Sequence, residues 1–485
     1  MKSPKCSGMT RRHLLKILGG AAASIPLLGS GMFSCGSGGS GGGTGPRPPT
    51  LTDDQLLDEM ESAIFQFFWN EASPSTGQVK DRALANGNDT RTLSSIAATG
   101  FGLVALCIAD QRSYRPSTDV KARVLATLRF LLNQAPQQNG WFYHYMDMNS
   151  GQRALQSEVS PIDTSILLCG VLTARQFYSQ DPQVVDLATQ IYQRVDFPWM
   201  LNGGTAYALA WTPENGFATS RWSVYAEMMM LYLLGIGSTT HPAPATTWEA
   251  FTRPMFTYQN LTYITGNAPL FIHQYSHAWF DFRNKKDAHT DYFQNSIVAT
   301  QAHKAFCLSL QNQFPDYSAN LWGITSSDSA NGYQAWGGPP AMGAIDGTIV
   351  PAAAAGSIPF LPVDCLSVLR NIRLNYASQA WRKYGFVDAF NPLTGWSDAD
   401  VIGINVGISM LMAENQRTGF VWRTFMANPE MQAAMNAAGF KQSDQRGMRA
   451  TSGFSKRDST DVGLLALSQS SGPDAARSPG SSPNG

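Results

Sequence analysis

Arg221-Trp-Ser-Val-Tyr-Ala-Glu-Met-Met-Met-Leu-Tyr-Leu-Leu-Gly-Ile236 decides the fold class. Tyr225, Met228, Met229, Tyr232 and Leu233 recur at helical spacing, and Met230, Leu231 and Leu234 fill much of the opposite side. A helix that is apolar all round is a buried helix, so a helix over 223–236 needs a shell of other elements around it. Its one charge, Glu227, must find a partner or take up a proton. Two readings stay open: a carboxylate paired with Arg221 near the positive helix end, or a general acid at the mouth of a pocket.

Outward from this stretch, apolar residues recur at helical spacing over 53–70, 92–110, 118–133, 161–178, 182–194, 246–251, 289–313, 362–376, 402–415, 421–426 and 429–438. No convincing alternating strand series interrupts them. Segments 162–172 and 402–412 are apolar on nearly every side, while others carry a polar face. An inner and an outer ring of helices, an all-α toroid, would show that alternation.

The chain opens with Thr10-Arg-Arg-His-Leu-Leu-Lys16, a twin-arginine export motif, followed by a small, apolar run too weakly hydrophobic for a membrane span. Residues 1–34 are therefore expected to be a signal peptide. Cys35 sits where a lipoprotein would be cut and acylated, with ordinary cleavage nearby as the alternative. Residues 35–50 read as a Gly/Ser/Pro linker, 51–440 as one domain, and 441–485 as a disordered tail. The segment before Cys35 holds five basic residues and no acid, so 30 of the chain's 35 basic residues remain beside all 35 acidic ones. A mildly acidic chain without a basic patch speaks against nucleic acid as partner. Cys107, Cys169, Cys307 and Cys365 read as small core residues rather than a disulfide framework.

The loops joining the helices are dense in Trp, Tyr, Phe, Gly, Asn and Asp, notably over 140–145, 199–211, 268–291, 320–351 and 384–400. Long aromatic loops on a helical scaffold usually carry function. Flat rings offer faces to the C–H surfaces of sugars, and Asn, Asp and Arg offer partners to hydroxyls. For any single ring, plugging the end of the toroid is the competing role.

Collinear strings now carry a family resemblance. They include Asp81-Arg82, Ser95-Ile-Ala-Ala-Thr-Gly-Phe-Gly102, Ser157-Glu-Val-Ser-Pro-Ile-Asp-Thr164, Trp222 to Glu227, Phe271-Ile-His-Gln-Tyr-Ser-His-Ala-Trp-Phe-Asp-Phe-Arg283, Ser327-Asp328, Asp346-Gly-Thr348, Tyr384-Gly-Phe-Val-Asp-Ala-Phe-Asn-Pro392 and Arg417-Thr-Gly419. Through most of 53–440 the chain resembles the bacterial glycoamylase-like family, which includes endo-β-1,2-glucanases and domains of cyclic β-1,2-glucan synthases. The resemblance implies an (α/α)6 barrel and hydrolysis of glucosidic bonds, favours β-1,2-glucan over starch, and leans towards inversion. One departure is Asn405, at a position where the family pattern often has Asp.

Glycoside hydrolysis needs two carboxyl groups flanking the glycosidic oxygen, one protonated as acid and one ionised as base or nucleophile. Glu227 ranks first as acid, for its nearly apolar surroundings. Asp163 follows, although Ser160-Pro-Ile-Asp163 is also a helix-capping box; Glu158 is its neighbour. Asp400, at the end of Gly395-Trp-Ser-Asp-Ala-Asp400, is the third catalytic candidate, with Asp398 competing. Trp222, Tyr225, Glu214, Trp322, Asp346 and Trp396 are candidate substrate contacts, as are His273, His277, Trp279 and Arg283 on one loop. Gln274 replaces the Glu of an H-E-x-x-H zinc site, and Asp281, Asp287 and Asp291 lack EF-hand spacing, so no metal or cofactor is expected. The sequence reads as an exported periplasmic or outer-membrane-attached glycoside hydrolase, a monomer acting on a saccharide. A carbohydrate-binding lipoprotein without chemistry and a polysaccharide lyase remain as alternatives.

Overall fold

The computed structural model describes residues 51–443. The expected signal peptide, Cys35, the linker through residue 50 and the tail from residue 444 lie outside them. Six segments are buried on nearly every side and follow one another in a ring: Ile96–Gln111, Pro161–Phe177, Met229–Gly237, the paired short turns Leu270–His273 and Ser276–Ala278, Pro351–Ala355, and Gly403–Arg417. Successive members touch. Gly170 lies against the Gly100 backbone, and Met230 N–H donates to Ser276 Oγ at 3.0 Å. Gln274 Nε2 donates to the Ala353 carbonyl at 3.0 Å, and Gly407 packs on the Phe101 ring, closing the circle.

Helices with one buried face surround this ring, among them Asp53–Asn70, Ser117–Asn133, Pro182–Gln193, Tyr292–Ser309, Pro362–Asn375 and Pro429–Ala437. Asp53–Asn70 illustrates why they form. Thr52 caps it through the Gln55 N–H while Gln55 caps Thr52 in return, and Leu56, Leu57, Met60, Ile64, Phe65 and Phe68 line its inward face. Fully burying each such side chain contributes about 1.5–3 kcal/mol, so the apolar stripe, not helix propensity, holds the outer ring in place.

The helix expected over 223–236 begins only at Met229. Its first residues are drawn off by an isolated bridge between Val224 and Thr252: Tyr225 N–H donates to the Thr252 carbonyl, and Thr252 N–H to that of Ser223, each at 2.9 Å. Glu227 therefore precedes the helix instead of riding its first turn. The loops read as irregular fold into short hairpins, and among the described residues no sheet exceeds two strands. Lys441–Gln442, assigned from sequence to the tail, pair with Lys285–Lys286 and belong to the domain. Cys107, Cys169, Cys307 and Cys365 are buried and free, as expected of core residues. No described helix is long and apolar enough to cross a membrane.

Candidate active site

Short strand pairs stitch the N-terminal ends of the inner helices into one mouth. Leu93–Ser95, leading into Ile96–Gln111, pairs with Tyr145–Asp147; Tyr143 bridges Val159, which leads into Pro161–Phe177 and itself bridges Trp211. Arg82–Leu84 pairs with Asp400–Ile402, which leads into Gly403–Arg417. Glu227, Asp163 and Asp400 thus each stand where a strand or turn feeds an inner helix, and the positive ends of those helices favour negative charge there.

On one side of the mouth, His144 lies between two carboxylates, with Nδ1 3.4 Å from Glu158 Oε1 and Nε2 3.6 Å from Asp163 Oδ2. Burial pushes the imidazole pKa down, but Asp163 and Glu158 outweigh it and hold the ring above its ordinary value. Asp163 forms the helix cap that the sequence offered and also faces the mouth. Its N–H caps onto Ser160 Oγ, and that hydroxyl donates to Asp163 Oδ2 at 2.5 Å while the same oxygen faces His144.

Across the mouth lies a group of acids that the ranking by sequence did not assemble. Arg82 bridges Asp81 at 3.1 Å and Asp328 at 2.6 Å. Asp388 Oδ2 accepts from the Asp328 N–H at 2.9 Å, and its Oδ1 from Asn405 Nδ2 at 2.7 Å. Asp398 Oδ1 accepts from the Asp400 N–H, while its Oδ2 is buried without a hydrogen-bond partner. Burial and the neighbouring acids push Asp388, Asp398 and Asp328 above the usual carboxyl range, Asp388 to about 7 and Asp398 to about 8. Asp400 differs from them: Arg91 clasps both its oxygens at 2.7 Å. The two sides are electrostatically continuous, because Asp81 acts on both His144 and Tyr145.

Several expected substrate contacts are instead enclosed by protein. Tyr225, Trp279 and Trp322 have no exposed surface, and Trp222, His273 and His277 almost none. Tyr225 Oη meets His273 Nδ1 at 3.2 Å, His277 Nε2 meets Ser296 Oγ at 3.1 Å, and Trp279 packs on Phe101. These side chains are packed among inner and outer segments, a core role that aromatic composition cannot distinguish from a binding role. Arg283 is held by Asp281 and stacks over Trp422, and Glu214 is clamped on the surface by Arg153, so both are already paired. Glu227 is buried just before Met229–Gly237, its carbonyl accepting from Ser276 Oγ at 2.6 Å. Asp346 and Trp396 are half-buried and line an open recess beside the acid group. Among the described residues no cluster of three or more His, Cys, Asp or Glu is placed to hold a metal ion.

Residues 219–429 match the family model described as "Glycoamylase: Putative glucoamylase". An alignment of 420 residues at 27% identity covers 79% of this chain and 57% of the exo beta-1,2-glucooligosaccharide sophorohydrolase (non-reducing end) of Parabacteroides distasonis. The structure of endo-beta-1,2-glucanase from Chitinophaga pinensis in complex with sophorotriose and glucose is 26% identical with a TM-score of 0.74, over 81% of this chain and 99% of that one. Over residues 219–429 the chain is similar to the glycoamylase-like family. A beta-1,2-glucanase structure from Parabacteroides distasonis is 25% identical with a TM-score of 0.75, over 80% of this chain and 60% of that one. The chain spans little more than half the length of the curated relative it matches. The ring of inner and outer helices is the (α/α)6 barrel of the family's glucanases.

Asp81, Asp328 and Asp388 all stand inside strings that carry the family resemblance, yet spacing along the chain gives no sign that they meet. Arg82 and Asp328 lie 246 positions apart. The one local signal was an acid set in the apolar string Gly385-Phe-Val-Asp-Ala-Phe390, since a carboxyl buried among apolar neighbours needs a reason to be there.

Proposed function

We propose that this chain is a glycoside hydrolase acting on β-1,2-linked glucose chains by two-carboxyl acid/base catalysis with inversion. The convergence of carboxyl groups on one mouth of the barrel, with Asp388 and Asp398 pushed up by burial and Asp163 set beside His144, is the observation that carries this reading. Glu227 acts as general acid to the leaving oxygen. Asp163, beside His144 and Glu158, activates the water. Asp400 is a positioning residue, because Arg91 occupies both its oxygens. The β-1,2 linkage is supported by the names of the family members to which the chain is similar. The same reading has the chain exported through its twin-arginine motif and retained at the periplasm or outer membrane by acylation of Cys35; Cys35→Ala should then release it from the membrane fraction.

The test is product analysis with β-1,2-glucan, β-1,3-glucan, starch and a uronic-acid polymer. New reducing ends from β-1,2-glucan alone, lost by about 10²-fold or more in Glu227→Gln and Asp163→Asn, are the expected result. The first anomer released reports inversion. Undiminished turnover in either variant removes that residue from the mechanism, and binding without turnover on every polymer would favour a non-catalytic role.

A further inference from the structure

Beside the acid group the barrel mouth carries an open recess of about 510 Å³, lined by Asn331, Asp346, Asn391, Thr394, Gly395 and Trp396. We infer that it is a separate subsite for one neutral glucosyl unit of the substrate chain, held against Trp396 and hydrogen-bonded by Asp346 and Asn331. The inference rests on the glucan reading above and adds to it a place that determines chain-length preference.

The recess is built before any ligand arrives. Trp396 packs on Val350, Ala352 and Ala389 and is only half-buried, so its indole is supported from behind while part of it stays open. Asn391 Nδ2 donates to the Asp346 carbonyl at 3.0 Å and to Thr348 Oγ1 at 3.3 Å, and its Oδ1 accepts from the Thr394 N–H at 3.1 Å. Gln379 Nε2 ties the carbonyls of Asn391 and Trp396 at 2.9 and 2.8 Å, fixing both strands of the Phe390–Asn391 and Trp396–Ser397 hairpin. Asp346 Oδ1 accepts from the Thr348 N–H at 2.9 Å, and among the described residues its other oxygen accepts nothing. Asn331 and Thr394 are exposed, and a side chain at Gly395 would meet open space. A surface ordered this firmly loses little freedom on binding.

The lining also selects a chemistry. An aromatic face beside a carboxylate and an amide suits a ring with an apolar C–H surface and equatorial hydroxyls. One acid and no cation line the recess, so a uronate would face uncompensated repulsion from Asp346. Its position follows from the backbone: Trp396 and Asp398 are two residues apart, at most about 7 Å of extended chain, comparable to one sugar ring and its linkage. The recess therefore borders the acid group of Asp388 and Asp398.

Kinetics and calorimetry on the full chain with linear β-1,2-gluco-oligosaccharides of increasing length test this. Trp396→Ala should lose about tenfold in kcat/KM on long chains, through KM, with a loss that shrinks as the oligosaccharide shortens. Trp396→Phe should recover part of it. A loss independent of length, or none, overturns the subsite. If no oligosaccharide is cleaved, the glucan-hydrolase reading fails, and calorimetry still decides the subsite. Binding of the long oligosaccharide weakened tenfold in Trp396→Ala upholds it, while binding that is absent or unchanged overturns it. Equal affinity for a uronic-acid oligosaccharide would overturn its neutral selectivity.

Discussion

Asn405 Nδ2 donates to Asp388 Oδ1 at 2.7 Å and to the Ser326 carbonyl at 3.1 Å, so an amide pins the most buried acid of the mouth. Asn405→Asp removes both donations and sets a carboxyl against Asp388. The expected cost is about 1–3 kcal/mol at pH 8, shrinking towards pH 5 as the new pair takes up a proton. Urea unfolding at the two pH values measures it, and an equal cost at both would contradict the proton-sharing account.

Burial and neighbouring acids raise Asp388 to about 7 and Asp398 to about 8. Both lie above the carboxyl's ordinary value, so between about pH 4 and pH 8 the folded chain binds more protons than the unfolded one. These groups therefore favour folding in acid, and that contribution is lost as pH rises through the window. Asp398→Asn should flatten the decline in melting temperature between pH 5 and pH 8.5. An unchanged slope would mean that Asp398 is ionised throughout.

Buried histidines act in the opposite direction. Burial lowers His273 and His277 to about 3 and His303 to about 4. Between those values and about 6.5 the unfolded chain binds the extra protons, so stability is lost as pH falls. His277, whose Nδ1 is buried without a hydrogen-bond partner, isolates the effect. Relative to wild type, His277→Gln should lose less stability between pH 6.5 and pH 4.5, read as the difference between the two unfolding curves. Parallel curves would refute this.

Arg417 joins Gly403–Arg417 to Asp53–Asn70 by donating to the fully buried Glu61 at 2.5 Å and to Asp54 at 2.8 Å. Arg417→Ala leaves Glu61 with Arg112 at 3.3 Å and beside the acid Glu414. Burial and Glu414 raise Glu61 to about 8, so near neutral pH the variant loses a buried hydrogen bond rather than stranding a charge, at a cost of about 1–3 kcal/mol. Arg417→Lys should restore only part, since one ammonium cannot reproduce the guanidinium fork. Denaturant titration of both variants checks the order.

Gly170 sits where Pro161–Phe177 crosses Ile96–Gln111, and a methyl there would lie 2.2 Å from the Gly100 carbonyl oxygen. Gly170→Ala must push the two inner helices apart, costing about 1–3 kcal/mol by overpacking despite alanine's better helix propensity. A stabilised variant would mean the helices separate freely at that crossing.

Most of the helical scaffold was legible because its signals are local. The boundaries of Asp53–Asn70, Pro161–Phe177 and Pro362–Asn375 follow from a capping threonine, a serine and proline, and a proline at the first turn. Ser223 to Glu227 misled because an apolar helical pattern extends past Met229, while the backbone there bonds to residues near Thr252 instead. Pro351–Ala355 was missed because five residues give no period to read. The aromatic loops were legible as aromatic but not as inward or outward. Trp279 and Trp322 are enclosed in the core, whereas Trp396, similar in local sequence character, lines the recess.

The sequence by itself determined the helical class, the core role of four cysteines, and the acids Asp163 and Asp400 as entries to inner helices, because capping and periodicity act over a few residues. Only the tertiary structure decided which acids share an environment. Closing the ring brings Arg82 to Asp328, Arg91 to Asp400 and Asn405 to Asp388. The proton affinity of a carboxyl depends on burial and on charges within a few ångströms, and those distances exist only once the barrel has closed.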